Sequence, residues 1–150
     1  MFWGSISGLG KGPGIFWEKN WGTISSQSYY EHIVPILEDY IGSTRLVLMQ
    51  DNATGHAAKD TIAYMASKGL YPIFWPANSP DLNPIEDIWE KVKDYIGEKY
   101  PDIHRSYPKL RRAVQEAWEA VAYEDLLDLI RSMPERCKAV IEAQGWHTKY

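Results

Sequence analysis

The chain has 150 residues, 45% of them hydrophobic and 24% charged, with 11 Gly and 9 Pro. That is one domain's worth of ordinary globular composition, and it excludes a collagen-like, low-complexity or wholly disordered chain. Net charge is −4, from 16 basic and 20 acidic side chains. Binding to a polyanion therefore cannot rest on protein charge alone and would need cations as intermediaries.

Seven Trp and ten Tyr supply large apolar surface for a core. The single cysteine, Cys137, excludes an internal disulfide framework and a cysteine-rich zinc module, and it fits a reducing compartment. No apolar run approaches the roughly 18 residues of a membrane span. The amino terminus lacks the charged and apolar blocks of a secretory signal.

In chain order, Phe2 to Ser7 reads as a strand, followed by a Gly-rich turn and an antiparallel partner at Ile15-Phe16-Trp17. Ser25, Ser26 and Ser28 offer N-caps for a helix over about 27–41, with Tyr30, Ile33, Val34, Leu37 and Ile41 at helical spacing. Arg45 to Gln50 is nearly continuous in apolar character, the mark of a strand covered on both faces. A helix over about 57–68 follows, then a short strand from Tyr71 to Trp75.

The stretch Pro76 to Pro84 is too rich in proline for regular structure. At its end Asn83 is suited to cap a helix, Pro84 to open it, and Glu86 to complete a capping box. Ile85, Ile88, Trp89, Val92, Tyr95 and Ile96 form that helix's apolar stripe, and Pro101 stops it. Further helices are expected over about 107–121, 123–131 and 134–143. The order predicts an α/β body over about 1–100 and a helical tail over about 101–150, hinged near 100–106, in a single domain.

Three residues invite a chemical reading. Asp51 follows the apolar strand, where carboxylates of open α/β sheets face a ligand crevice, although Asp51-Asn52 also suits a simple turn. Glu86 flanks the apolar stripe at a helix start, with the capping box as its structural alternative. His56 lies five residues after Asp51; without a His or Cys companion it does not make a zinc site. Cys137 reads as a buried apolar residue in a helical pattern, and the glycines near the amino terminus do not spell a nucleotide loop.

The run Met1-Phe2-Trp3-Gly4-Ser5-Ile6, then Met49-Gln50-Asp51-Asn52-Ala53 with His56, resembles the catalytic domain of mariner-like DDE transposases, the Tc/mariner superfamily. So does Ser79-Pro80-Asp81-Leu82-Asn83-Pro84-Ile85-Glu86 with Trp89, and so does Ser132-Met133-Pro134-Glu135-Arg136-Cys137 with Gly145 and Thr148-Lys149-Tyr150. The resemblance implies a ribonuclease-H-like mixed sheet flanked by helices, and DNA cleavage and strand transfer in DNA transposition. It also implies a two-metal site for Mg²⁺ or Mn²⁺ held by two aspartates and a glutamate. Asp51 matches the second aspartate and Glu86 the glutamate, with the spacing of that branch. Asn52, His56 and Asn83 become candidates to contact DNA or to hold the carboxylates in place. Hard oxygen ligands suit Mg²⁺, and bound cations would admit phosphate to an acidic protein.

No residue before Asp51 fits the first aspartate, and Met1-Phe2-Trp3-Gly4 resembles the family's second strand. The expectation is a sheet lacking its first central strand, in an amino-terminally truncated remnant unable to cut DNA alone. The alternative is a non-catalytic, domesticated module that binds DNA or protein. An α/β hydrolase using Asp51 and His56 ranks lower, for want of a nucleophile elbow. By resemblance the partners are transposon-end and target DNA, with a homodimer as one option and the nucleus as the location. No membrane partner and no organic cofactor is expected.

Overall fold

The computed structural model describes residues 1–103 and 106–150. They form two compact units, one of residues Met1–Phe16 with Pro80–Tyr150, the other of Trp17–Ser79.

In the first unit, β1 (Phe2–Ser7) and β2 (Gly10–Phe16) form the expected antiparallel hairpin, pairing Phe2 with Phe16 and Gly4 with Gly14. The register slips between Gly4 and Ile6. Gly4 is required by close approach: a Cβ there would stand 2.9 Å from ring carbons of Trp89 and Trp118. Those two rings stack on each other at 5.4 Å, and Phe2 meets Trp118 edge-on.

Among the described residues this unit also holds the α-helices α5 (Ile85–Lys99), α6 (Tyr107–Ala120), α7 (Tyr123–Arg131) and α8 (Met133–Glu142). The expected stripe of α5 is the one that packs. Ile88 and Val92 are buried with Ala117, Trp118, Val121 and Leu126, and Ile85, Trp89, Tyr95 and Ile96 close around them. Full burial of a chain such as Ile88 contributes about 1.5–3 kcal/mol. Lys11 of β2 caps the end of α6, its Nζ donating to the carbonyls of Trp118, Glu119 and Val121 at 2.8–3.0 Å.

Because α6 to α8 share a unit with the hairpin and α5, the change of character near residue 100 is not where the packing divides. Part of the expected hinge, His104 and Arg105, lies outside the described residues.

The second unit is built from α1 (Ser26–His32), α2 (Val34–Thr44), α3 (Thr54–Ala57) and α4 (Lys59–Ser67). Ser25 caps α1 in a reciprocal box with Ser28. The helix expected over 27–41 breaks at Ile33, because Pro35 has no N–H to continue the ladder into α2. The helix expected from 57 likewise divides at Ala58, whose backbone is extended. Ser28, Tyr29, Ile33, Val34, Leu37, Thr61, Met65 and Leu70 are buried in these helices and the turn after them.

Two expected strands are not formed. Residues 45–50 and 71–75 run without a ladder among the described residues, joined by one bond from the Ile73 N–H to the Leu48 carbonyl at 2.9 Å. Pro72 cannot donate, and both sides lack a cover: Val47 is 70% exposed and Phe74 89%. A fully buried strand needs neighbours on both edges and both faces, and here apolar content alone does not supply them.

Candidate active site

Asp51 ends the extended segment of the second unit, and its side chain is 52% exposed. Its Oδ1 accepts from the Ala53 N–H at 3.1 Å, closing an Asx turn, and lies 2.6 Å from Nδ1 of His56. The residue thus makes the turn anticipated as its structural role and also presents an open carboxylate. His56 is brought beside it by the short helix α3, and its ring packs on that of Tyr29 with centroids 4.4 Å apart. Asn52 turns the other way, its amide donating to the Trp75 carbonyl at 2.6 Å and tying the loop to the 71–75 segment.

Two supporting residues were not anticipated. Buried Tyr29 donates its hydroxyl to Oε1 of Gln50 at 3.1 Å, and the Gln50 amide lies 3.5 Å from the His56 carbonyl. Burial, and after it the Asp51 carboxylate, push the Tyr29 hydroxyl well above its ordinary pKa, so it remains a donor. Tyr29 stands four residues before Ile33, so helical spacing carried a signal for it; the expected stripe placed Tyr30 there instead.

In the first unit Glu86 is exposed in the first turn of α5. The expected capping box is absent, and the helix is headed by Pro84 with no side-chain cap. The reason is local. Pro80–Leu82 form a 3₁₀ turn whose carbonyl at Pro80 takes the Asn83 N–H at 2.7 Å. With the Asn83 N–H so engaged, the Glu86 side chain accepts instead from the Asn83 side-chain amide at 3.3 Å.

Beneath this turn lies a polar network that sequence reasoning missed. Asp81 is buried, its Oδ2 accepting from the Thr148 N–H at 2.6 Å. Hydrogen bonds from Thr148 hold its carboxyl below the ordinary Asp pKa. Arg136, 3% exposed, donates to the Asp81 carbonyl at 3.0 Å, to Oδ2 of Asp87 at 2.6 Å and to Oγ of Ser132 at 2.9 Å. Cys137, expected to be buried, is exposed, because α8 turns its neighbour Arg136 inward to these partners.

A family of DDE superfamily endonucleases matches residues 6–105. The chain belongs to that family. The transposable element Tcb2 transposase of Caenorhabditis briggsae is 31% identical over 156 residues, covering all of this chain and 54% of the relative. The chain spans about half the length of the curated relatives it matches. A structure of the Mos1 transposase catalytic domain and raltegravir with Mn superposes with a TM-score of 0.68 at 18% identity, covering 85% of this chain and 66% of that one. The Mos1 mariner paired end complex with Mn gives a TM-score of 0.63 at 19% identity, over 85% of this chain and 38% of that one. The DDE chain thus has the Tc1/mariner-type catalytic-domain fold, and the expected ribonuclease-H-like class holds.

Among the described residues no group of three or more His, Cys, Asp and Glu side chains is gathered as a metal cage. The donors are nonetheless of the right kind. Mg²⁺ is commonly held by one or two carboxylates, with water and substrate phosphates filling the remaining positions, and Asp51 and Glu86 are both exposed carboxylates.

Proposed function

We propose that this DDE endonuclease domain serves DNA cleavage and strand transfer in DNA transposition, with Asp51 and Glu86 as carboxylate ligands of Mg²⁺ or Mn²⁺. The observation that carries the reading is that both residues lie inside the family match and that each presents its carboxylate to solvent. When bound, such ions polarise a phosphoryl oxygen and make a hydroxyl nucleophilic at neutral pH.

The chain's own residues hold the ligands ready. His56 and the Ala53 N–H both engage Oδ1 of Asp51, leaving its Oδ2 edge to face a cation. Tyr29 and Gln50 fix His56 from behind. Asn83 steadies Glu86 through a single amide contact. Transposon-end and target DNA are the proposed partners, and a nuclear location follows from the same reading. Nothing in the comparisons favours the non-catalytic alternative.

Thermal melts with and without Mn²⁺ test this. At one hundred times Kd, Mn²⁺ adds about 2.7 kcal/mol of stability. The expected result is a raised Tm in the wild type and none in Asp51→Asn; an equal rise in both would reject Asp51 as a ligand.

A further inference from the structure

Arg136 is a cation taken almost wholly out of water, far along the chain from either proposed metal ligand. Burying a guanidinium is a poor device for stability, since its desolvation offsets much of its attraction to a partner such as Asp87, which stays 38% exposed. What it does supply is direction. The guanidinium is a rigid planar fork that fixes several acceptors at once.

Its acceptors bracket Glu86. Nη1 holds the Asp81 carbonyl in the 3₁₀ turn before α5, and Nη2 holds the Asp87 carboxylate immediately after Glu86. Between these anchors the chain is closed by two backbone bonds, Asn83 N–H to the Pro80 carbonyl and Glu86 N–H to the Asn83 carbonyl. The remaining donor, Nε, rests on Ser132 at the start of α8, and the Tyr150 ring lies 4.7 Å from Cζ. The start of α5 has no side-chain cap of its own. The fork therefore stands in for the missing cap by fixing the turn and the first helical residues together.

We infer that Arg136 is a positioning residue for Glu86, its three-way anchoring of Asp81, Asp87 and Ser132 setting the angle at which α5 presents the glutamate carboxylate to a divalent ion. The inference rests on Glu86 being a metal ligand. Functional constellations tolerate only small displacements, and outer partners of metal ligands commonly change affinity about tenfold or more when altered. Lysine keeps the charge at this position but satisfies fewer of the acceptors.

The test measures Mn²⁺ affinity by electron paramagnetic resonance of free Mn²⁺ on the full chain, with amide hydrogen exchange at Glu86 as a second readout. The proteins are the wild type, Glu86→Gln, Arg136→Lys and Ser132→Ala. The expected results are loss of binding in Glu86→Gln and about tenfold weaker binding in Arg136→Lys. Faster exchange at the Glu86 amide should accompany the latter, with the α6 amides of Ala113 and Ala117 unchanged. Wild-type affinity in Arg136→Lys, with binding lost in Glu86→Gln, overturns the positioning role alone. No Mn²⁺ binding by the wild type, or unaltered binding in Glu86→Gln, overturns the metal reading and this inference with it. Should Arg136→Lys fail to fold, Ser132→Ala decides, since it removes one anchor only. Weaker binding with faster Glu86 exchange in that variant supports the role, and wild-type values of both reject it.

Discussion

The two proposed ligands are presented in opposite ways. Asp51 is held by neighbours two and five residues away, in a loop exposed to water. Glu86 has one weak side-chain contact, yet its backbone is fixed by bonds that span 49, 55 and 67 residues of chain. A local contact survives small changes elsewhere but lets the carboxylate move with its loop. A long-range network makes the carboxylate as rigid as the unit around it, and ties its geometry to the unit's stability.

This contrast can be broken by variants. The largest expected effect is Arg136→Ala, which leaves the buried face of the Asp87 carboxylate and the Asp81 carbonyl without their donor. It should cost about 1–3 kcal/mol in a urea melt, the penalty for leaving a buried carbonyl without its donor. A loss below 1 kcal/mol would mean that solvent replaces the guanidinium freely, and the two regions would no longer differ.

His56→Ala should behave otherwise. The His56–Asp51 contact is partly open to water, with side chains 20% and 52% exposed. The stability lost with this contact should be no more than about 1 kcal/mol. Mn²⁺ affinity should nevertheless fall about tenfold, because the ligand loses its orienting partner. Large unfolding without a change in affinity would assign His56 to structure alone.

The smallest effect concerns acid. Hydrogen bonds from Thr148 lower the Asp81 pKa on folding, so its contribution is complete above the unfolded value of 3.8 and disappears as pH falls through the lower folded value. The Tm of wild type should thus fall more steeply below about pH 4 than that of Asp81→Asn. Parallel curves would show that the tail at Thr148 is not held by this carboxylate.

The same contrast explains what was legible in the sequence. The hairpin, the α5 stripe and α6 to α8 were readable because periodicity and turn residues act over a few positions. The Asp51 turn was readable for the same reason, and the structure sets His56 beside it. The strands at 45–50 and 71–75 were not formed as expected, because a ladder depends on neighbours that apolar content does not reveal, and Pro72 removes one donor. The capping box failed because the Asn83 N–H had a nearer acceptor at Pro80. Arg136 was invisible: within its helix it reads as one more charged residue beside Glu135 and Lys138, and only folding brings Asp81 and Asp87 to it.

The central claim is that Asp51 and Glu86 are each a carboxylate ligand of divalent metal. Extending the Mn²⁺ titration to Asp51→Asn and Glu86→Gln tests it most directly, since removing a ligand lowers the affinity of the folded chain for the ion. The account predicts that each variant binds Mn²⁺ far more weakly than the wild type. Undiminished binding in either variant would contradict it.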